Sequence, residues 1–272
     1  MLTDSPVKRF FAFGCSFTSY HWPMWPDIVK HELGDVEYHN FGMCGAGNQF
    51  IAHSVYNANE TYNFGPEDLV MICWSSAFRN DWYINSDWKC EGNAFYPGYY
   101  NSLLDPSLTD LNHYTIRDAG VIAGCIKFLE GLTCQSHNLC IIDNFVSDDQ
   151  DHGFIEQEIL DHPECKPLVN YIKEHIRPSF WDMGYDIDFN KNLWSELPQD
   201  IRDDHPLPSI SLEYLSRVLD HDFNPHTVEI TNQHTEKLWE VFKRFPTEFQ
   251  SEDCPKLYLL IEQKFPELSQ LS

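Results

Sequence analysis

Basic residues are scarce in this chain. Eighteen Lys and Arg stand against 42 Asp and Glu, a formal charge of −24 over 272 residues. Such a surface repels phosphate backbones and anionic bilayers, so neither nucleic acid nor a membrane is an expected partner, and neutral or cationic ligands are favoured. Long apolar runs are missing too; none approaches the roughly 18 residues a membrane span needs. Lys8-Arg9 precedes Phe10 to Phe13, but that run is short and has no small-residue cleavage site, so no signal peptide is expected. The nine cysteines contain no CxxC pair and sit in apolar surroundings, as Cys73, Cys125 and Cys140 do. That dispersal points to reduced core cysteines, not a disulfide frame. Internal repeats and low-complexity tracts are also absent.

Apolar side chains, by contrast, are plentiful at 42%, with 15% aromatics, enough for a sizeable core. Strand and helix signals alternate through the first half. Val7–Phe13, Val36–Phe41, Asp68–Trp74 and Leu139–Ile142 read as strands. Trp25–Leu33, Gln49–Asn59 and Tyr114–Leu132 read as helices. Continuously apolar strands separated by helices predict a three-layer α/β/α sandwich around a parallel sheet of about five strands. The expected organisation is one domain over 1–272, with insertions at 75–112 and 147–204 and a helical extension over 221–272. Helices are expected at Leu168–Ile176, Leu212–Leu219, Val228–Phe245 and Lys256–Phe265. Both insertions follow the carboxyl ends of strands, where open α/β sheets bind ligands.

Three segments could carry chemistry. Gly14-Cys15-Ser16 ends the first strand. A serine exposed on a tight turn, with a helix N-terminus behind it, has the setting of a nucleophile beside an oxyanion site. The same turn could merely cap a helix. Asn40-Phe41-Gly42-Met43-Cys44-Gly45-Ala46-Gly47-Asn48 ends the second strand. Its glycines allow close backbone approach to a ligand, or make a plain turn with Asn48 as helix cap. The spacing is neither a P-loop nor a dinucleotide fingerprint. Asp203-Asp204-His205-Pro206 precedes a late helix; it reads as a general base with an orienting carboxylate, or as a solvated acidic turn.

Taken together and in this order, the three segments resemble the blocks of the SGNH (GDSL-like) hydrolase family. The resemblance implies a flavodoxin-like strand order, Ser16 as nucleophile, His205 as base and Asp203 as its orienting partner. It implies the Gly45 amide as an oxyanion donor. The third block departs from the pattern: Trp74-Ser75-Ser76 occupies its place and Asn80-Asp81 comes later, leaving Asn80 or Ser76 as the side-chain donor. Cys15 replaces the usual Asp, and Asp203 lies two residues before His205 instead of three. Gly-Cys-Ser-Phe-Thr followed by Trp-Ser is similar to proteins of tailed phages of marine bacteria, which implies a host-cell cytoplasm or a virion as location.

The activity so implied is ester hydrolysis, with deacetylation of a carbohydrate as the expected reaction, a small ester or acetylated glycan as substrate and no cofactor or metal. Sugar O-acyl transfer uses the same nucleophile. A structural or glycan-binding virion protein on the same fold is the rival from another class. The aromatic stretch 82–101 serves equally as a sugar platform, a packed lid or an oligomer contact. Weaker candidates are Asp222 to His226 as an alternative base block, Asp220-His221-Asp222 as a metal site and Cys15 as nucleophile.

Overall fold

The computed structural model describes residues 2–93, 111–145, 160–181, 183, 203, 205–250 and 256–271. Most of the stretch expected as the second insertion, and the Tyr96, Tyr99 and Tyr100 cluster of the first, lie outside these residues.

Four parallel strands form the sheet: β1 (Arg9–Gly14), β2 (Glu37–Gly42), β3 (Asp68–Trp74) and, after a hairpin, β6 (Gln135–Cys140). Their order is β2-β1-β3-β6. Burial follows that order. Every residue of β3 is buried and β1 is buried from Phe10 onward, whereas edge strand β2 has no buried residue. Among the described residues no fifth strand joins the sheet, and a single parallel bridge, Asn138 with Ile176, lies beside β6. Beyond it the Arg177 and Trp181 amides donate to the Asn138 and Ile141 carbonyls, while Pro178 between them has no N–H to give to a ladder.

Seven α-helices are described: α1 (Trp25–Leu33), α2 (Asn48–Tyr62), α3 (Leu111–Glu130), α4 (Lys166–His175), α5 (Pro208–Leu219), α6 (Pro225–Arg244) and α7 (Leu257–Lys264), with a π turn at Phe245–Phe249 and a 3-10 turn at Pro266–Ser269. Six of them fall into two groups, α1 with α5 and α6, and α2 with α3 and α4, while α7 packs beside the turns that follow α6 and α7. Right-handed crossovers explain the division: the chain moves one way along the sheet from β1 to β2 and the other way from β2 to β3 and β6. The result is a mixed α/β architecture, a four-stranded parallel sheet flanked by helices. No described helix is long and apolar enough to cross a membrane.

Two features depart from the expected layout. Residues 75–112 are not all loop: β4 (Arg79–Ile84) and β5 (Asp87–Asn93) make an antiparallel hairpin. Its two-residue turn, Asn85-Ser86, has φ of 54° and 63°, the left-handed pair that a type I′ hairpin turn requires. The helical extension also has its own core. Leu238, Val241, Phe242, Phe245, Leu257, Leu260 and Ile261 pack on Trp22 and Met24, from the loop before α1, and on Leu207 and Ile210. The C-terminal helices are thereby fastened to the carboxyl end of β1.

Candidate active site

β1 delivers Ser16 to the carboxyl edge of the sheet. The chain reverses there: the amides of Thr18 and Ser19 both donate to the Cys15 carbonyl, at 2.9 and 3.1 Å. Gly14 is required by this wrap, because a Cβ at that position would lie 2.0 Å from Thr18 Oγ1. The helix after this turn, α1, starts at Trp25 as expected, and the loop between carries Phe17, Tyr20 and Trp22. Helix-end charge fades within one turn, so it does not reach Ser16. The Ser16 amide enters no hydrogen bond among the described residues, nor does that of Gly45. Both remain available as donors.

The turn after β2 is tied to the same edge. Asn40 Nδ2 donates to the Thr18 carbonyl at 2.9 Å, and the Met43 amide donates to the Gly14 carbonyl at 3.1 Å. Gly45 takes φ +78°, and its carbonyl accepts from the Gly92 amide at 3.0 Å. A Cβ there would fall 2.3 Å from the Cys90 carbonyl oxygen, so the hairpin lies directly on this turn.

His205 and Asp203 meet. Asp203 Oδ1 lies 2.6 Å from His205 Nδ1 and accepts the His205 amide at 2.9 Å. A carboxylate facing Nδ1 places the proton on that nitrogen and leaves Nε2 as the acceptor. The hydroxyl of Tyr20 donates to Asp203 Oδ2 at 2.7 Å, and the Tyr20 ring stacks on the imidazole. Burial pushes the Asp203 carboxyl up, but the hydrogen bonds and charge of His205, with the Tyr20 hydroxyl, outweigh it and hold it below its ordinary range. Burial and the Asp203 charge together raise the Tyr20 hydroxyl, which stays protonated as a donor.

His205 Nε2 is buried and has no hydrogen-bond partner. It therefore makes no bond to Ser16 Oγ, and the expected direct contact is not formed. The imidazole does pack on Phe17, the residue after Ser16, with ring centroids 5.2 Å apart. Catalytic hydrogen bonds often form only when a ligand is present.

The third-block side chains are engaged elsewhere. Asn80 Oδ1 accepts from Arg117 Nη1 at 2.8 Å, and Ser76 Oγ accepts from the Phe78 amide at 3.1 Å. Strand alternation explains Asn80. Arg79 and Asp81 project from β4 toward the Gly45–Gly47 turn, so Asn80 projects the other way, toward α3. Asp81, not Asn48, caps α2: its two oxygens accept the Gly47 and Phe50 amides at 2.8 and 2.9 Å. Asn48 turns inward to Ser75 and to Asp118 Oδ2. Burial pushes Asp118 up to about 6 against the opposing charge of Arg117. Sequence reasoning missed Tyr20, Arg79 and Asp81. A strand pattern over 79–84, with its period of two, was the signal that would have separated Asn80 from its neighbours.

The weaker candidates lie apart. His221 Nε2 pairs with Glu32 at 3.1 Å, and His226 packs against His31. No group of three metal-ligating side chains occurs among the described residues. Cys15 is fully buried. A cavity of about 460 Å³ between α5 and α6 is lined by Ser209, Glu213, Asp222 and Phe223 and contains none of Ser16, Asp203 or His205.

No family model and no curated protein matches the chain. Among solved structures it is similar to a member of the lipolytic G-D-S-L family from Veillonella parvula DSM 2008. That alignment has 16% identity and a TM-score of 0.39, and covers 88% of this chain and 100% of that one. It is also similar to a candidate phosphosugar isomerase from Bacillus subtilis, at 10% identity and a TM-score of 0.32, over 90% of this chain and 49% of that one. Likenesses at this level carry no argument about activity.

Proposed function

We propose that the chain is a serine-dependent ester hydrolase of the SGNH kind, acting as a carbohydrate O-deacetylase on a small ester or acetylated glycan. The observation that carries this reading is the Asp203–His205 pair. Its Nδ1 is fixed by a carboxylate, and its Nε2 is buried without a partner in a ring that packs on Phe17, the residue after Ser16. The strand order β2-β1-β3-β6, with Ile176 bridging outside β6, is the basis for reading a flavodoxin-like sheet.

In this mechanism Ser16 Oγ attacks the acyl carbonyl while His205 Nε2 takes its proton, and the charge on the tetrahedral oxygen falls to the free amides of Ser16 and Gly45. His205 returns the proton to the departing alcohol and leaves an acyl-serine. Water, deprotonated by His205, then releases the acid and restores Ser16. Asp203 keeps the imidazole in the working tautomer. Were a sugar hydroxyl to replace water, the same steps would give O-acyl transfer.

A second reading is a non-catalytic structural or glycan-binding protein, as in a virion. It is favoured by the diversion of Asn80 and Ser76 and by the missing Ser16–His205 bond. Labelling with a fluorophosphonate probe, together with acetate release from p-nitrophenyl acetate and a panel of acetylated glycans, tests the two. The hydrolase reading expects label and turnover in the native chain and neither in Ser16→Ala. An unlabelled native chain with no turnover on the panel leaves the non-catalytic reading.

A further inference from the structure

Arg79 projects from β4 onto the turn that follows β2, beside the Gly45 amide proposed as an oxyanion donor. Its Nη1 donates to the carbonyl of Ala46, the residue after Gly45, at 2.9 Å. Its charge also bears on the thiols of Cys44, Cys73 and Cys90, drawing each down against burial. The contacts that place the side chain are with the turn after β2: Nη1 on the Ala46 carbonyl, and Cβ so near Gly47 that a methyl there would lie 3.0 Å away.

The charge of Arg79 is unpaired. The other half-buried arginines, Arg9 and Arg117, each bind a buried aspartate, Asp68 and Asp118. Arg79 has no carboxylate partner among the described residues, in a chain with 42 acidic residues. The nearest acid on its strand, Asp81, is committed to the Gly47 and Phe50 amides. Of the five N–H donors in a guanidinium fork, one is used by Ala46, and the fork geometry matches a carboxylate.

We propose that Arg79 is an anion-recognising residue of this site, and that the ester it takes carries a carboxylate close to the reacting carbonyl. This rests on placing the reaction at the Ser16 turn. It also qualifies the expectation, drawn from net charge, of neutral or cationic ligands. Repulsion from distant acids is screened beyond about 8 Å at physiological salt, whereas a guanidinium in contact is not. The carboxylate could stand on the acyl side, as in a hemisuccinate, or on the alcohol side, as in an acetylated uronic acid.

The test reads binding and does not depend on turnover. Methyl hemisuccinate and O-acetylglycolate present the carboxylate on the acyl and alcohol sides, and dimethyl succinate is the uncharged control. Calorimetric titration of each into the Ser16→Ala chain is expected to show binding of one or both anions, at least tenfold tighter than dimethyl succinate. Arg79→Gln should weaken the anion about tenfold or more and leave the control unchanged, while Arg79→Lys should recover part of the loss. The bound anion should also slow alkylation of exposed Cys44 by iodoacetamide, and should do so only when Arg79 is present. Whichever anion binds identifies the side that carries the charge. Equal binding of anions and control, no binding of any, or an Arg79→Gln chain as tight as its parent overturns the proposal. An inert Ser16 with anion binding intact would remove the hydrolase reading and leave the subsite standing.

Discussion

Tyr20 lies flat against His205, with ring centroids 3.6 Å apart and planes 16° from parallel, while its hydroxyl donates to the carboxylate that holds the same imidazole. One side chain thus fixes both the ring's plane and its partner. Tyr20→Phe would keep the stack and delete the hydrogen bond, leaving Asp203 Oδ2 unsatisfied in a buried setting. A loss of about 1–3 kcal/mol in stability is expected, measured by urea unfolding. On the proposed reading Tyr20 acts through His205 and Asp203, so hydrolytic kcat should fall with little change in KM. Tyr20→Leu, which removes ring and hydroxyl, should lose more of both. Equal unfolding midpoints for Tyr20→Phe and its parent would show that the bond contributes nothing.

Two desolvated carboxyls, buried Asp118 and half-buried Asp27, should give the protein an inverted acid response. Burial raises Asp27 and Asp118 to about 6 each, against an ordinary carboxyl near 4. The native state then binds more protons than the unfolded chain between about pH 4 and 6. Stability contributed by these groups is therefore present at the acid end and lost as pH rises through that window, of order 1–3 kcal/mol for each. Asp203 acts with the opposite sign. Its carboxyl is held low, so its contribution is present above about pH 4 and disappears as pH falls through its native value. Unfolding free energies across pH 3–8 for the parent and Asp118→Asn check this. The variant should be less stable throughout, because its amide NH₂ would face a donor, Arg117 Nε or Asn48 Nδ2. Its stability should also fall less steeply between pH 4 and 6.

Gly45→Ala puts a methyl into the hairpin backbone and asks an L-residue to hold φ +78°. The left-handed conformation alone costs about 1–2 kcal/mol, and the overlap with the Cys90 carbonyl adds to it. The expected result is a fall of several degrees in melting temperature, with faster hydrogen exchange at Gly92, whose amide bonds to Gly45. Unchanged protection at Gly92 would mean that the turn and the hairpin are not coupled.

The sequence made some of this legible, and the reasons are local. Central strands with buried faces on both sides advertise themselves, and β1 and β3 were readable from Phe10–Phe13 and from the run to Trp74. β6 begins four residues before its apolar stretch, because Gln135, Ser136 and His137 are only half-buried at the entry to the sheet. The hairpin was hidden by its turn: Asn85-Ser86 lacks the glycine that usually marks a type I′ connection. The Asp203–His205 pair could be anticipated from two positions in sequence. Tyr20, 183 residues from Asp203, could not, because only the fold brings them together. Asn80 was misplaced because a single strand register decides which way it faces.

The core formed by the C-terminal helices has a bearing on cooperativity. Trp22 is buried in it, its ring lies near Phe242, and its indole N–H donates to the Pro206 carbonyl at 3.1 Å. Tyr20 and His205 are therefore anchored to a subdomain built from α6 and α7, while Ser16 is anchored to the central sheet. On the proposed reading, nucleophile and base would then sit beside different hydrophobic clusters, which can differ in local stability. A fluctuation that loosens the helical unit, with the sheet still intact, would part the imidazole from the serine without unfolding either half. The alignment of the pair would then depend on how firmly two foldons are docked, and a ligand bridging Ser16 and His205 would itself tighten that docking.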